Sequence, residues 1–208
     1  MRWSKFILSI LPLFTLLLLP LSGQNRAWAG NTYMGPLEAA VNSALVILQD
    51  KSLSAPSQKD ARRTKLRAVL YPHFNFARMS RGSVGRKWNK FSTNQQERFV
   101  TLFKKLLENT YMGMIERYQG EQVVFTKELK QSETIVRVDS IILSKGQKYD
   151  MSYRLGKDGE KWRVFDVIIE GVSVVANYRS QFRQLLRKRN PDIEGMLSKL
   201  KVKVSKAK

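Results

Sequence analysis

Few side chains in this sequence have the chemistry of a catalytic or metal-binding centre. The 208 residues include a single histidine, His73, and no cysteine, so a metal site made of His and Cys cannot form. A nucleophilic triad would have to use His73, which follows Pro72 with no recognisable nucleophile motif nearby. We therefore interpret His73 as an ordinary surface or packed histidine.

Neither a phosphate-binding loop nor a paired acid and base is recognisable. Gly82 and Gly85 lack the preceding strand and the following Lys-Ser/Thr that a phosphate loop needs. The central aspartates are spaced without any acid–base pairing pattern: Asp139, Asp150, Asp158 and Asp166. We predict a protein that is not an enzyme and that needs no cofactor or metal.

The remaining candidates are apolar and aromatic side chains, which suit adaptable binding surfaces. From composition alone, a plain hydrophobic core is the simpler interpretation of the same residues. Asp166 is the one charged candidate, either a buried hydrogen-bond acceptor or a group near a ligand headgroup. The candidate binding residues are Phe76, Met79, Phe103, Tyr111, Met114, Tyr118, Tyr149, Met151, Tyr153, Val164, Asp166, Ile168, Tyr178 and Phe182.

A long helix from Thr93 to about Tyr118 is predicted to organise the chain. A capping box at Ser92 and Gln95, or at Thr93 and Gln96, opens it. Its apolar residues recur every three or four positions and cover more surface than one ordinary core needs, so the helix should face a sheet and a second apolar body. They are Phe99, Leu102, Phe103, Leu106, Leu107, Thr110, Tyr111, Met114, Ile115 and Tyr118.

Shorter helices and four strands surround this helix in the predicted order. The strands alternate with period two and are joined by short turns, which predicts an antiparallel meander. The predicted helices are Pro36–Asp50, Ser57–Leu70, Val174–Arg189 and Ile193–Lys201, with short turns at Phe74–Met79 and Val84–Lys90. The predicted strands are Gln122–Lys130, Glu133–Leu143, Lys148–Leu155 and Lys161–Ile169.

The dipeptide Asp158-Gly159 is typical of a two-residue hairpin turn and predicts the register of the last two strands. It places four pairs on one largely apolar face, while Ser152 and its strand neighbours face the other way. The predicted pairs are Leu155 with Trp162, Tyr153 with Val164, Met151 with Asp166, and Tyr149 with Ile168. The long helix should cover this face at Val164.

The N-terminal segment has the pattern of a cleaved secretory signal peptide. A basic start precedes an apolar run from Phe6 to Leu21, and Ala27-Trp28-Ala29 supplies a cleavage site. The predicted organisation is a signal peptide over 1–29, a ligand-binding domain over 30–201, and a basic tail over 202–208. Export without cysteine fits a bacterial periplasm.

The charge of the exported part predicts anionic partners. The signal peptide carries three of the cations, so the net charge falls from +20 to +17 on cleavage. Phospholipid headgroups or acidic protein surfaces are the expected partners. Export excludes nucleic acid as a plausible partner.

The sequence resembles the MlaC (toluene-tolerance) family from about Leu37 to Leu200. The order and spacing of several weak motifs carry the resemblance. Two positions depart from the family pattern: Asn75 stands where Asp is usual, and Arg189-Asn190-Pro191 where Gly-Gly is frequent. The matching motifs are Phe74-Asn75-Phe76, Met79, Gly85-x-x-Trp88, Gln95-Gln96, Phe99, Phe103, Leu106-Leu107, Thr110-Tyr111, Tyr118, Trp162-x-Val164-x-Asp166-Val167, Gly171-Val172-Ser173, Tyr178-Arg179-x-Gln181-Phe182 and Leu197-x-x-Leu200.

The resemblance implies a fold and a function. The fold would be α+β, with helices cupping a four-stranded antiparallel sheet around an apolar lipid cavity. The function would be that of a periplasmic phospholipid carrier between an outer-membrane lipoprotein–porin complex and an inner-membrane ABC transporter with an MCE-domain protein, which maintains outer-membrane lipid asymmetry. The alternative cargo is a hopanoid or another apolar lipid.

Two other function classes stay open from the sequence. One is an enzyme in a cone-shaped α+β fold, which a paired acid and base in the cavity would support. The other is a basic adaptor that binds membranes or envelope polymers without a cavity. Lipid extraction from the purified protein would separate the carrier from both.

Overall fold

Helices before and after an antiparallel sheet make up the computed structural model, which describes residues 33–206. This confirms the predicted α+β class, with a short fifth strand added. The signal peptide lies outside the described residues. The elements are α1 Met34–Gln49, α2 Lys59–Leu70, α3 Phe76–Val84, α4 Thr93–Ile115, β1 Gln122–Ser132, β2 Ile135–Ser144, β3 Gln147–Asp158, β4 Lys161–Ile169, β5 Val172–Ser173, α5 Val174–Leu185 and α6 Ile193–Lys206.

Helix α4 begins at the predicted capping box. The Gln95 amide donates to the Ser92 hydroxyl (3.3 Å), and the Ser92 amide donates to the Gln95 side chain (3.0 Å). The helix ends at Ile115, a little before the predicted Tyr118, because the amides of Arg117 and Tyr118 already bond three residues back.

The C-terminal helices also differ from their predicted bounds. Helix α5 ends at Leu185 rather than Arg189. Helix α6 continues to Lys206, past the predicted end at Lys201. The extension is packed: Val204 is buried, and its carbonyl accepts a hydrogen bond from the Asn109 side chain (2.9 Å).

The five strands lie in the order β1-β2-β3-β4-β5, and all pairs are antiparallel, which confirms the predicted meander. The predicted register of β3 and β4 is wrong. Asp158 pairs with Lys161, so the turn is centred on Gly159 and Glu160. Gly159 has φ +62° and occupies the first central position, as type II′ turns require, rather than the second position that Asp-Gly suggests.

A β-bulge at Phe165 shifts the register again. Leu155 pairs with Val164, but the next residue of β3, Arg154, pairs with Asp166. Phe165 is therefore the extra residue, and the strand faces exchange beyond it.

The exchange overturns the remaining predicted pairs. Beyond the bulge Tyr153 pairs with Val167, and Met151 pairs with Ile169. Ile168 pairs with Ser152, on the face that was predicted to be polar. Val167 therefore takes the position opposite Tyr153 that was predicted for Val164, and Ile169 takes the position opposite Met151 that was predicted for Asp166.

Buried apolar residues form three separate clusters. The helical cluster joins α3, α4, α5 and α6: Met79, Val84, Phe91, Phe99, Phe103, Leu106, Leu107, Val174, Val175, Tyr178, Phe182, Leu186, Met196, Leu197, Leu200 and Val204. The sheet cluster places α1 on the sheet: Leu37, Val136, Val138, Tyr153, Leu155 and Val164. The α1–α2 cluster is Ala44, Leu66 and Met112. The prediction that α4 covers the sheet at Val164 is wrong, since α1 supplies the helical residue of that cluster.

Candidate apolar binding site

The division of the core marks the candidate site. A domain of this size usually buries its apolar residues in one contiguous core with small satellites. Here the helical and sheet clusters are both substantial and separate, and only partly buried side chains lie between them. Phe74 and Val167 each pack against both clusters. An apolar ligand inserted along this boundary would contact helices on one side and the sheet on the other.

The apolar face of the sheet becomes more open from one end to the other. In β3, Leu155 and Tyr153 are buried at the end that α1 covers through Leu37. Met151 is partly buried, and Tyr149 is 39% exposed. Alternation along the strand puts these β3 side chains on one face, so the open end of that face lies near Tyr149.

Helix α4 shows a matching gradient. Phe99 and Phe103 have no exposed surface, Tyr111 is partly buried, and Met114 is 56% exposed. Tyr111 packs against the helical cluster, and so does Ile169, the partner of Met151 in the sheet. Helices and sheet thus share a partly open apolar surface that continues from Met151 through Ile169 to the helical cluster.

Ion pairs fix α2 against the C-terminal half of α4, beside this surface. Both Glu116 oxygens accept from Arg63 (2.6 and 2.8 Å). Glu108 accepts from Arg67 (2.6 Å), Lys105 (2.8 Å) and the Tyr71 hydroxyl (2.8 Å).

The hydrogen bonds to Glu108 also set its protonation. Burial opposes ionisation of the Glu108 carboxyl, but the bonds from Arg67, Lys105 and Tyr71 outweigh burial and lower its pKa from 4.5 to about 2. At neutral pH the carboxylate therefore stays charged, and α4 keeps its bonds to α2 and to the turn at Tyr71.

Tyrosine hydroxyls near the clusters are mostly paired within the protein. Burial raises the pKa of Tyr153, whose hydroxyl donates to the Met151 sulfur (2.9 Å). The Tyr178 and Thr110 hydroxyls are 3.3 Å apart. Tyr118 accepts from the Gln49 side chain (2.9 Å), which joins α1 to the end of α4. These bonds satisfy the three hydroxyls within the protein, which leaves the rings for apolar contacts.

The predicted binding residues divide by exposure, and ligand contact by each remains a prediction. The buried ones are members of the two large clusters: Met79, Phe103, Tyr153, Val164, Tyr178 and Phe182. Those with partial or full exposure are Phe76, Tyr111, Met114, Tyr118, Tyr149, Met151 and Ile168. The apolar surface described above includes four of the second group, Tyr111, Met114, Tyr149 and Met151. Ile168 faces the other side of the sheet.

Asp166 is a buried hydrogen-bond acceptor, as one of the two predicted roles requires. It is 4% exposed and accepts from the Ser173 hydroxyl (2.7 Å) and the Val175 amide (3.1 Å). These groups belong to the first turn of α5, where unpaired amides favour a carboxylate. Its predicted place opposite Met151 is wrong, since it pairs with Arg154.

Sequence reasoning missed several residues of the apolar surface. The bulge at Phe165 concealed the positions of Val167 and Ile169 in the sequence. The residues from Val167 to Ile169 are all apolar, and no residue type marks the extra position. Phe125, which stacks on Tyr153 with ring centroids 5.9 Å apart, lies in β1 and was not placed on the face at all. Covariation between strands would be the signal for such pairs.

Residues 33–206 contain neither a cluster of metal-ligating side chains nor a membrane-spanning helix. Within that range no group of three or more His, Cys, Asp or Glu side chains is placed to hold a metal ion. No helix in the same range combines the length and the apolar character needed to cross a bilayer. His73 is partly buried, and burial lowers its pKa.

Comparisons of the sequence with known proteins give a family match and several relatives. The family model described as "MlaC protein" matches residues 38–202. The intermembrane phospholipid transport system binding protein MlaC of Haemophilus influenzae is 28% identical over 136 residues, which span 62% of this chain and 63% of that protein. The toluene tolerance protein ttg2D of Pseudomonas putida is 23% identical over 148 residues, 69% of this chain and 67% of that protein.

One solved structure shares the fold over nearly its whole length. It is the phospholipid-binding protein from Ralstonia solanacearum in complex with a phospholipid. The match has a TM-score of 0.72 and 26% sequence identity, and it covers 83% of this chain and 96% of the other.

Proposed function

This chain belongs to the MlaC family, and we propose that it binds phospholipid and carries it through the periplasm without catalysing a reaction. The observation that carries the proposal is the divided core, with a partly open apolar surface along the boundary between the helical cluster and the sheet. Met114 in α4 and Tyr149 in β3 are exposed apolar side chains of these two layers. The phospholipid bound to the structural neighbour supports the proposal, as do the names of the relatives.

The energetics fit a carrier that needs no reaction of its own. Burying an acyl chain is worth about 0.8 kcal/mol per CH₂ relative to water, so exposed chains would be very unfavourable in the periplasm. A bilayer buries the same methylenes, and loading from a membrane is then close to an exchange. The direction of transfer must come from the proteins at each end.

The finer proposal names those proteins. We infer that the carrier moves lipid between an outer-membrane lipoprotein–porin complex and an inner-membrane ABC transporter bearing an MCE-domain protein, which would maintain outer-membrane lipid asymmetry. Family membership supports this route. The alternative cargo is a hopanoid or another apolar lipid, which the same surface would accept.

Native mass spectrometry of the protein purified from the periplasm tests the proposal. We expect phospholipid at a fixed ratio to protein, and recovery of that ratio when delipidated protein is incubated with phospholipid vesicles. Empty protein that takes up no lipid from vesicles would overturn the carrier function. A hopanoid in place of phospholipid would select the alternative cargo.

A further inference from the structure

A concave surface lies on the opposite side of β3 from the sheet cluster. Tyr153 and Leu155 belong to that cluster, so strand alternation directs Arg154, between them, to the other side. There Arg154 lines a groove of about 970 Å³ between the sheet, α3 and the start of α5. We call it the arginine groove, after the five arginines that line it: Arg78, Arg81, Arg86, Arg154 and Arg179.

Most of the charge of the arginine groove is not neutralised within the described part of the chain, since five arginines and one carboxylate line it. None of its five arginines forms an ion pair among residues 33–206, although seven other basic residues there do. The one carboxylate lining the groove, Asp166, already accepts from Ser173 and from the Val175 amide. The groove therefore presents a concentrated positive field to an incoming group.

Two of the arginines are held by the same aromatic ring. The guanidinium carbon of Arg78 lies 3.9 Å from the centroid of Phe165, and that of Arg154 lies 5.0 Å from it. The two cations are therefore no more than about 9 Å apart. Both side chains are only partly exposed, and such close, partly desolvated like charges favour an anion between them.

The apolar part of the groove indicates the size and kind of ligand. Trp88, Phe165 and Val175 line it beside the arginines. A single small anion would fill little of this volume and would leave the aromatic surface uncovered. A flat membrane surface would meet the exposed Arg81 and Arg86 but could not enter the concave part where Arg78 and Arg154 lie. A peptide segment can both enter the concave part of the groove and cover its aromatic surface. Its carboxylates would accept hydrogen bonds from the forked guanidinium groups, while its apolar side chains cover the rings.

We propose that the arginine groove is the docking site for an acidic segment of a partner protein, whose carboxylates insert between Arg78 and Arg154 above Phe165. The site is separate from the apolar surface that the proposed lipid would occupy. Docking does not require the carrier to be empty, so a partner could recognise the loaded protein.

The test uses a fluorescein-labelled hexaglutamate peptide as the probe and measures its fluorescence anisotropy with the exported protein. The groove variant is Arg78→Gln with Arg154→Gln. The matched control is Arg183→Gln with Arg187→Gln, which removes the same charge from exposed arginines of α5 and its C-terminal flank, outside the groove. We expect the groove variant to weaken peptide binding about ten-fold or more, since it removes enclosed partners of the carboxylates, and the control to change it less than about two-fold.

A second pair of variants separates docking from misfolding. Arg81→Gln with Arg86→Gln changes exposed arginines of the groove rim that have no ion pair in the described chain, and a melting curve like that of the unmodified protein is expected. It should weaken peptide binding more than the α5 control does. Arg78→Lys with Arg154→Lys keeps the positive charge but removes the paired guanidinium donors that bind a carboxylate bidentately. This variant should also weaken peptide binding.

Binding measurements on the same set of variants also distinguish the competing explanations. Equal losses in the groove variants and the α5 control would overturn the proposal in favour of net charge alone. Groove-dependent binding of inorganic phosphate or of phosphatidylglycerol vesicles, without groove-dependent binding of hexaglutamate, would overturn it in favour of a phosphate ligand. Lipid content, measured separately, should stay unchanged in every groove variant, so failure of this proposal and failure of the lipid-carrier function are distinguishable.

Discussion

Val164 lies directly opposite Leu155 across β3 and β4, and both side chains are buried in the sheet cluster. The Val164 carbonyl also accepts a hydrogen bond from the Asn75 amide (2.8 Å), just before α3 begins. This pair therefore joins the sheet, the covering helix α1 and the chain entering α3. Val164 has no exposed surface, and we expect the junction to be close-packed.

The packing at this junction leads to a stability prediction. Val164→Trp should destabilise the protein by about 1–3 kcal/mol or more, because a much larger side chain must displace buried neighbours. Urea unfolding followed by circular dichroism measures the effect. A Val164→Trp protein of unchanged stability would show that free space adjoins this residue.

The architecture was largely predictable from periodicity. The shift from period 3.6 to period 2 after Gly120 predicted the helices and the meander, and the capping box at Ser92 located the start of α4. The register of the strand pairs was less predictable than the elements themselves. A glycine with positive φ serves either central position of a hairpin turn, so Asp158-Gly159 was compatible with two registers.

The apolar character of the candidate site was predictable from the sequence, but the residues that form it were not. The excess of apolar surface on α4 was visible in sequence, and exposure at Met114 agrees with it. The bulge at Phe165 moved Val167 and Ile169 onto the apolar face, and long-range packing buried Val164. The arginine groove combines residues from α3, β3 and α5, and no local pattern connects them.

Asp166 should stabilise the protein by accepting hydrogen bonds at the N-terminus of α5. Asp166→Ala leaves the Ser173 hydroxyl and the buried Val175 amide without their acceptor, which should cost about 1–3 kcal/mol. Asp150→Ala in β3 is the control, because Asp150 is exposed and should change stability by less than about 0.5 kcal/mol. Thermal melting compares the two. Equal melting temperatures would contradict the assigned role.

The ion pairs of Glu108 predict acid sensitivity. Its carboxyl has a folded-state pKa of about 2 against an ordinary 4.5, so the unfolded state binds the proton first as pH falls. The stabilisation is therefore complete above about pH 4.5 and is lost between there and about pH 2.

Glu108→Gln tests this dependence. The substitution should destabilise the protein by about 1–3 kcal/mol at pH 7, since it weakens bonds to Arg67 and Lys105 at a nearly buried carboxylate. The difference from the unmodified protein should shrink as pH falls toward 2. Glu97→Gln, exposed on the same helix, is the control. A difference that stays constant from pH 7 to 2 would refute the ion-pair origin.

Membrane charge should control the rate of lipid exchange. The exported chain has a net charge of +17 after the predicted cleavage, so transfer should be faster with anionic than with zwitterionic vesicles. The advantage should decline as salt shortens the Debye length to about 8 Å near 0.15 M. Stopped-flow transfer of a fluorescent phospholipid measures the rate. Rates that ignore both headgroup charge and salt would count against an electrostatic contribution.

Met151 provides the sharpest test of the proposed lipid surface. It is partly buried, faces the same side as Tyr153, and pairs with Ile169, which contacts the helical cluster. Met151→Trp should fill space that an acyl chain would occupy, while the partly open position lets the protein stay folded. We expect lower phospholipid content per protein by native mass spectrometry, with melting close to that of the unmodified protein.

The control for Met151 is the next residue of the same strand. Ser152 points to the opposite face and pairs with Ile168, so Ser152→Trp adds the same ring outside the lipid surface and should leave the lipid content unchanged. A folded Met151→Trp protein with full lipid content would place the acyl chains elsewhere. Equal loss of lipid in the Met151→Trp and Ser152→Trp proteins would show that both substitutions act by disturbing the fold, and not by filling the surface that Met151 shares with Ile169.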